Sequence, residues 1–391
     1  MSEVRVNNLS NENNTGGPTI SGITTYSGRH FFVPPQGDTA SRPEDCEPGS
    51  FRFNTDSAKL EYFRGNNIGW VEIEAELTEP LGGGTGSNTG LGTRGLILAG
   101  DPSTVTIEFF TVSTLGNAQD FGDLTQDRKR FQGFASRTRA FGIGGQANNG
   151  ASGYNVIDFV TVSSTGNAQD FGDQTTQTRS QIGLSNSTRG ITAGGTSGFP
   201  SGTYLNTIEY VTMQAAGNTV DFGDLTVIRD FPTGVNSSVR AIIAGGNQYP
   251  TNYNVIDFIT TASTGNAQDF GDLSISIQVG AAVCNSTRGV IALTYGGSPV
   301  GYKNTMEFIT MATTGNSIDF GDRTHTATPQ GGASSPIRGV FAGGYASPGP
   351  RTNAMEFIEI TTTGNAKDFG DMVTARGMPS TVSNGHGGLS G

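Results

Sequence analysis

The chain has 391 residues, of which 59 are glycine, 15 % are charged and 34 % are hydrophobic, with a formal net charge of −11. An acidic surface repels phosphate, and no run of about 18 apolar residues occurs, so neither nucleic-acid binding nor membrane insertion is expected. Regular short apolar runs separated by Gly, Asn, Thr and Ser exclude a disordered chain and read as many short strands and tight turns.

Residues 1–45 are polar and irregular and read as an extended arm, with one apolar stretch at Phe31-Phe32-Val33-Pro34-Pro35. The first fourteen residues lack a basic flank followed by an apolar core, so no signal peptide is expected. Residues 46–80 read as a small β module with three alternating strands, turns near 55–57 and 65–67, and a last strand beginning at Trp70. So small a sheet has little stability alone. It is expected to form homo-oligomers or to dock on another protein. Residues 81–92 are a Gly-rich linker.

From residue 93 to 391 the chain repeats itself about every fifty residues. The string Asp-Phe-Gly-Asp starts at Asp120, Asp170, Asp221, Asp269, Asp319 and Asp368, placing Phe121, Phe171, Phe222, Phe270, Phe320 and Phe369 in register. An arginine precedes a small or apolar run at Arg94, Arg139, Arg189, Arg240, Arg288 and Arg338. An apolar–acidic–aromatic triplet recurs at Ile107, Ile157, Ile208, Ile256, Met306 and Met355. Three landmarks repeated six times in one order do not arise by chance.

Each unit reads as four antiparallel strands. In the third, these fall at 183–187, 189–193, 207–213 and about 220–224, with Gly217-Asn218 supplying positive φ for the turn before the last. A radial array of such sheets leaves only short, protected edges. The first repeat lacks a first strand, and residues 374–381 read as the missing one, so a C-terminal strand is expected to close the first unit.

The repeat resembles the kelch repeat. The double glycine stands at Gly144-Gly145, Gly194-Gly195, Gly245-Gly246, Gly296-Gly297 and Gly343-Gly344, and a third-strand aromatic at Phe109, Phe159, Tyr210, Phe258, Phe308 and Phe357. Phenylalanine fills the family's tryptophan position, and the family's arginine before the first strand matches Arg128, Arg179, Arg229 and Arg376. The first repeat keeps only Gly100, and Gln278 and Thr328 replace that arginine. The resemblance implies an all-β, six-bladed kelch-like β-propeller behind a small β-meander and extended arm.

The run from Gly49 to Gly65, with Trp70-Val71-Glu72-Ile73, is similar to a module of bacteriophage fibre and other virion proteins. That resemblance implies a virion structural protein at the particle surface, a tail fibre or spike. Residues 1–80 would bind other virion proteins, and the propeller would bind host-surface carbohydrate or protein. A capsid-decorating or baseplate protein is the rival within that class. A glycan-acting enzyme on the particle and a cytosolic kelch adaptor are rivals outside it.

Chemistry is weighed against packing at each motif. Asp-Phe-Gly-Asp resembles a kinase metal motif, but the rest of a kinase is missing. As a calcium loop it offers few oxygens. The plain reading is a phenylalanine packed between blades, with aspartates capping the turn. The six arginines either ring an anion site or pair with neighbouring acids such as Glu108 and Asp158. His30, His325 and His386 match no repeat position, and Cys46 and Cys284 read as free thiols. No catalytic residue, metal site, copper centre or cofactor is expected, and the chain is read as a non-enzyme. The loops between second and third strands vary most and carry Tyr154, Phe199, Tyr204, Tyr249, Tyr253, Tyr302 and Tyr345, the candidate binding residues. Drift of loops on a solvent face is the bland alternative.

Overall fold

A computed structural model of the chain describes residues 34–44, 46–57, 59–66, 68–72, 93–147, 153–198, 202–329, 331–347 and 349–389. It forms two compact units, Met1–Glu76 and Leu77–Gly391. The expected linker at 81–92, most of the arm and Phe199 lie outside the described residues.

Among its described residues the first unit holds four strands, one more than expected. β1 (Gln36–Gly37) runs parallel to β2 (Phe51–Asn54), which is antiparallel to β3 (Lys59–Phe63), itself antiparallel to β4 (Trp70–Glu72). Register puts Phe51, Phe53, Leu60, Tyr62 and Val71 on one face and Arg52, Asn54 and Glu61 on the other. That second face, which also carries Phe63 and Trp70, is the more buried one. Arg42 Nη2 donates to Glu61 Oε2 at 2.6 Å, Arg52 donates to the Asp38 and Ser41 carbonyls, and Trp70 Nε1 donates to Pro43 O at 3.0 Å. The apolar face keeps Phe51 at 49 % and Leu60 at 41 % exposure.

The second unit is all-β, with one short 3-10 turn at Gly387–Leu389 among the described residues. Short strands follow from a repeat in which Gly, Asn, Ser and Thr recur between the apolar runs. The third repeat shows the plan: Ile182–Ser185, Arg189–Ala193, Thr207–Thr212 and Val220–Asp224 form one antiparallel sheet in chain order. The second and sixth repeats form the same four-stranded sheet. The fourth and fifth are joined into nine strands by one continuous strand, Gln268–Cys284. In the first repeat the missing strand comes from the far end of the chain. It is Ser380–Ser383, which overlaps the expected segment at Ser380-Thr381 and runs two residues past it, antiparallel to Arg94–Leu98.

Third and fourth strands share one irregularity in all six repeats. Ile107 faces Gly122 while Glu108 faces Asp120, so Phe121 is the extra residue of a β-bulge. Equivalent shifts occur at Asp158, Glu209, Asp257, Glu307 and Glu356. The bulge turns the phenylalanine inward. Phe121 meets Phe109 edge-on at 5.8 Å, and the five other pairs repeat this at 5.8–6.2 Å. The core lies between sheets: Phe121 packs with Phe131, Ala140 and Val160 of the second repeat as well as Leu96 and Ile107 of its own.

The outer edge of each fourth strand is covered by the next repeat. Gly166 N donates to Phe121 O at 2.8 Å and Ala168 N to Asp123 O at 2.7 Å. Asp123 N donates to Asn167 Oδ1 at 3.1 Å. A Cβ on Gly122, whose φ is +147°, would stand 2.4 Å from Gly166 O, so glycine is required there. The same three bonds recur at each junction, including the sixth repeat onto the first: Gly116 N to Phe369 O, Ala118 N to Asp371 O, and Asp371 N to Asn117 Oδ1. Asn218 and its equivalents therefore accept bonds from the preceding repeat, and none of them adopts the positive φ expected of it. The Asp-Phe-Gly-Asp strings bind through their main chain, where capping by the aspartates had been expected.

Candidate recognition face

Chain direction places every loop between second and third strands at one end of the sheets, beside the connections that follow each Asp-Phe-Gly-Asp. Bridges tie the two together: Lys129 to Gln146, Thr178-Arg179 to Thr196-Ser197, Asp230 to Asn247, Ala327 to Ala346 and Gly377 to Asp101. This loop end gathers the candidate tyrosines. Tyr249 is 79 % exposed and Tyr302 is 38 % exposed, with its ring edge-on to Tyr295 at 5.2 Å. Tyr154, Tyr204, Tyr253 and Tyr345 are half-buried. Tyr253 donates to Gln248 Oε1 at 3.2 Å. Burial and the Asp127 charge push the Tyr154 phenol up.

Tyr345 serves a junction. Its hydroxyl donates to Asp101 Oδ2, which also receives Arg351 Nη2 at 2.9 Å, while Lys129 Nζ meets Asp101 Oδ1 at 3.0 Å. One carboxylate thus joins the sixth, first and second repeats. Burial opposes its charge, but Arg351 and Lys129 hold the Asp101 carboxyl below its usual range. Farther along the same end, burial pushes the Asp230 carboxyl up to about 6 against the charges of Arg179 and Arg130. Arg130 lies over Phe231 at 5.7 Å, and Arg179 donates to Gln146 Oε1 at 2.5 Å.

The six landmark arginines do not pair with Glu108, Asp158 or their equivalents. Each guanidinium lies 4.4–4.8 Å above the third-strand aromatic of its own repeat. Each also donates to carbonyls in the following repeat: Arg94 to Val162, Arg139 to Met213, Arg189 to Thr261, Arg240 to Met311, Arg288 to Ile360 and Arg338 to Val112. They sit at the hairpin end, whereas the acids lie deep beneath the loop end. The acids take the arginine before the first strand instead, in buried pairs Arg128–Asp158, Arg229–Asp257 and Arg376–Glu108.

Arg179 is not the fourth member of that set. It bridges Thr196 as Lys129 bridges Gln146, one residue out of register, and Thr178 occupies the arginine position. There Glu209 accepts from the Thr175 and Thr219 hydroxyls. In the sixth repeat, where the family arginine is missing, Arg323 reaches Glu356 from just behind Asp322. In the fifth, Glu307 is bound by Ser274 and Ser317.

The first strands of all six repeats line one cavity of about 50 Å³. Their fourth positions link in series: Ser185 Oγ donates to Ala135 O at 2.7 Å, Asn236 Nδ2 to Ser185 O, and Cys284 Sγ to Asn236 O at 3.3 Å. Cys284 N donates to Ser334 Oγ at 2.9 Å, and Ser383 Oγ to Ser334 O at 2.7 Å. His386 caps the cavity. Its Nε2 faces the Ala135 carbonyl at 2.9 Å and so carries the proton, while Nδ1 accepts from Gly388 N and Asn236 Nδ2. Burial pushes the imidazole down to about 4. No repeat pattern signals this histidine. Among the described residues no group of three or more His, Cys, Asp or Glu side chains comes together, and Cys46 and Cys284 are free.

No family model and no curated protein matches the chain. Among solved structures, YjhT aligns with a TM-score of 0.57 at 8 % identity, over 70 % of this chain and 94 % of its own. That likeness is one of fold alone.

Proposed function

We propose that the six repeats close into a kelch-like β-propeller, and that the chain is a non-catalytic structural protein of a bacteriophage particle. The ring is supported by the junction of the sixth repeat with the first, which repeats the three bonds shared by the other junctions. The reading as a display element is carried by one observation: the most variable loops, with Tyr249 and Tyr302 exposed, gather at one end of six interlocked sheets. Rigid sheets presenting adaptable aromatic loops suit recognition of host carbohydrate or protein. The half-exposed apolar face of the first unit, with Leu60 and Phe51, suits attachment to other virion proteins or to further copies of the chain. Several copies on one particle would act by avidity. Mass spectrometry of purified virions should find the chain in fixed stoichiometry; its absence from particles sinks the reading.

A further inference from the structure

The hairpin end carries a second feature. A cavity of about 290 Å³ lies between the second and third repeats, lined by Ser136, Arg137, Thr138, Arg139, Ser187, Met213 and Gln214. Two of these residues break the repeat. Arg137 stands where the third to sixth repeats have Ser187, Ser238, Ser286 and Pro336, and Gln214 stands where the other five have Ser113, Ser163, Ala262, Ala312 and Thr361. Two independent departures from a six-fold pattern therefore converge on one cavity.

Its chemistry is one-sided. Arg137 Nη2 donates to Leu389 O at 2.7 Å and Arg139 Nη1 to Met213 O at 3.1 Å. Both bonds go to carbonyls, so most guanidinium donors remain and no lining side chain is acidic. In a chain of net charge −11, a hydroxyl-rich cavity with two guanidinium groups selects an oxyanion. Its size suits one sugar residue rather than a long segment.

We infer that this cavity binds the carboxylate or sulfate group of an acidic saccharide, with Arg137 and Arg139 on the anion and the Gln214 side-chain oxygen, left open while its Nε2 donates to Ser187 O at 2.9 Å, and the Ser187 hydroxyl on neighbouring hydroxyls. The inference rests on the recognition reading above, and it moves one binding site from the tyrosine loops to the opposite end of the sheets.

Isothermal titration of the full chain at fixed ionic strength tests it, with glucuronate, glucose and inorganic sulfate as probes. Glucuronate should saturate and glucose should not. Arg137→Gln should weaken glucuronate at least ten-fold, and Gln214→Ala several-fold, with unchanged circular dichroism. Equal affinity in both variants, or no saturation by glucuronate, overturns the site. Saturation by sulfate alone overturns the saccharide assignment. Glucuronate binding by a chain absent from virions keeps the site and overturns only the particle reading.

Discussion

Asp371, in the last repeat, donates its main-chain N–H to the side-chain oxygen of Asn117, in the first, at 3.0 Å. The same bond joins Asp123 to Asn167 and every junction between. The first and last repeats are thus held by the contact that holds neighbours.

Loss of the final strand should cost far more than one strand. Ser380–Ser383 completes the first sheet, and His386 and Leu389 bind the second repeat. A chain ending at Ala375 should melt at least ten degrees lower, or in several steps, by calorimetry. Melting identical to the full chain contradicts the proposed ring.

Glycine substitutions separate the junction from the turn. Gly122→Ala drives a Cβ into Gly166 O and strains a φ of +147°, so a loss on the order of 2–4 kcal/mol is expected in urea titration. Gly217→Ala has open space and no positive φ, and should be nearly neutral.

The buried ion pairs should behave asymmetrically. Arg128→Met leaves the Asp158 carboxylate uncompensated and should cost about 3–5 kcal/mol. Adding Asp158→Leu should recover most of that loss. A double variant as unstable as the single one means the carbonyl bonds of Arg128 to Gly144 and Val156 carry the effect.

Two groups give opposite pH dependences. His386 is held neutral, with its pKa lowered to about 4, so its contribution is full above the ordinary value near 6.5 and falls as pH drops toward 4. Asp230 is raised to about 6, so the cost of ionising it grows as pH rises from about 4 to 6 and persists above. Asp230→Asn should therefore raise the melting temperature by a few degrees at pH 7.5 and leave it unchanged at pH 3.5. His386→Gln should flatten the acid side of the profile. Parallel profiles for variant and parent count against each assignment.

Much of this architecture was legible because strand cores repeat with their side chains. The second and fourth strands of the third repeat fall where alternation puts them, at Arg189–Ala193 and Val220–Asp224. The Phe121 series packs between sheets, and the bulge that turns it inward leaves no trace in the sequence beyond the following glycine. Arginine partners were misread because landmarks were paired along neighbouring strands, while burial sorts them by depth. Arg179 matched the family spacing yet sits one residue off, and Arg323 filled the missing place from an unaligned position. Junction bonds are main-chain bonds, so only Gly122 and Asn167 mark them. Among the tyrosines, sequence could not separate exposed Tyr249 from Tyr345, which is committed to Asp101. His386, Arg137 and Gln214 lie where the repeat is broken, and a search for regularity passes over them.

The strand shared between chain ends also governs the order of synthesis. Arg94–Leu98 leaves the ribosome early, but its partner, Ser380–Ser383, is made nearly three hundred residues later. Until then the first sheet waits with a bare edge, able to pair with any strand of another nascent chain. Where several chains are translated side by side, exchange of that strand between them is the natural error, and it would yield linked chains with every local contact intact.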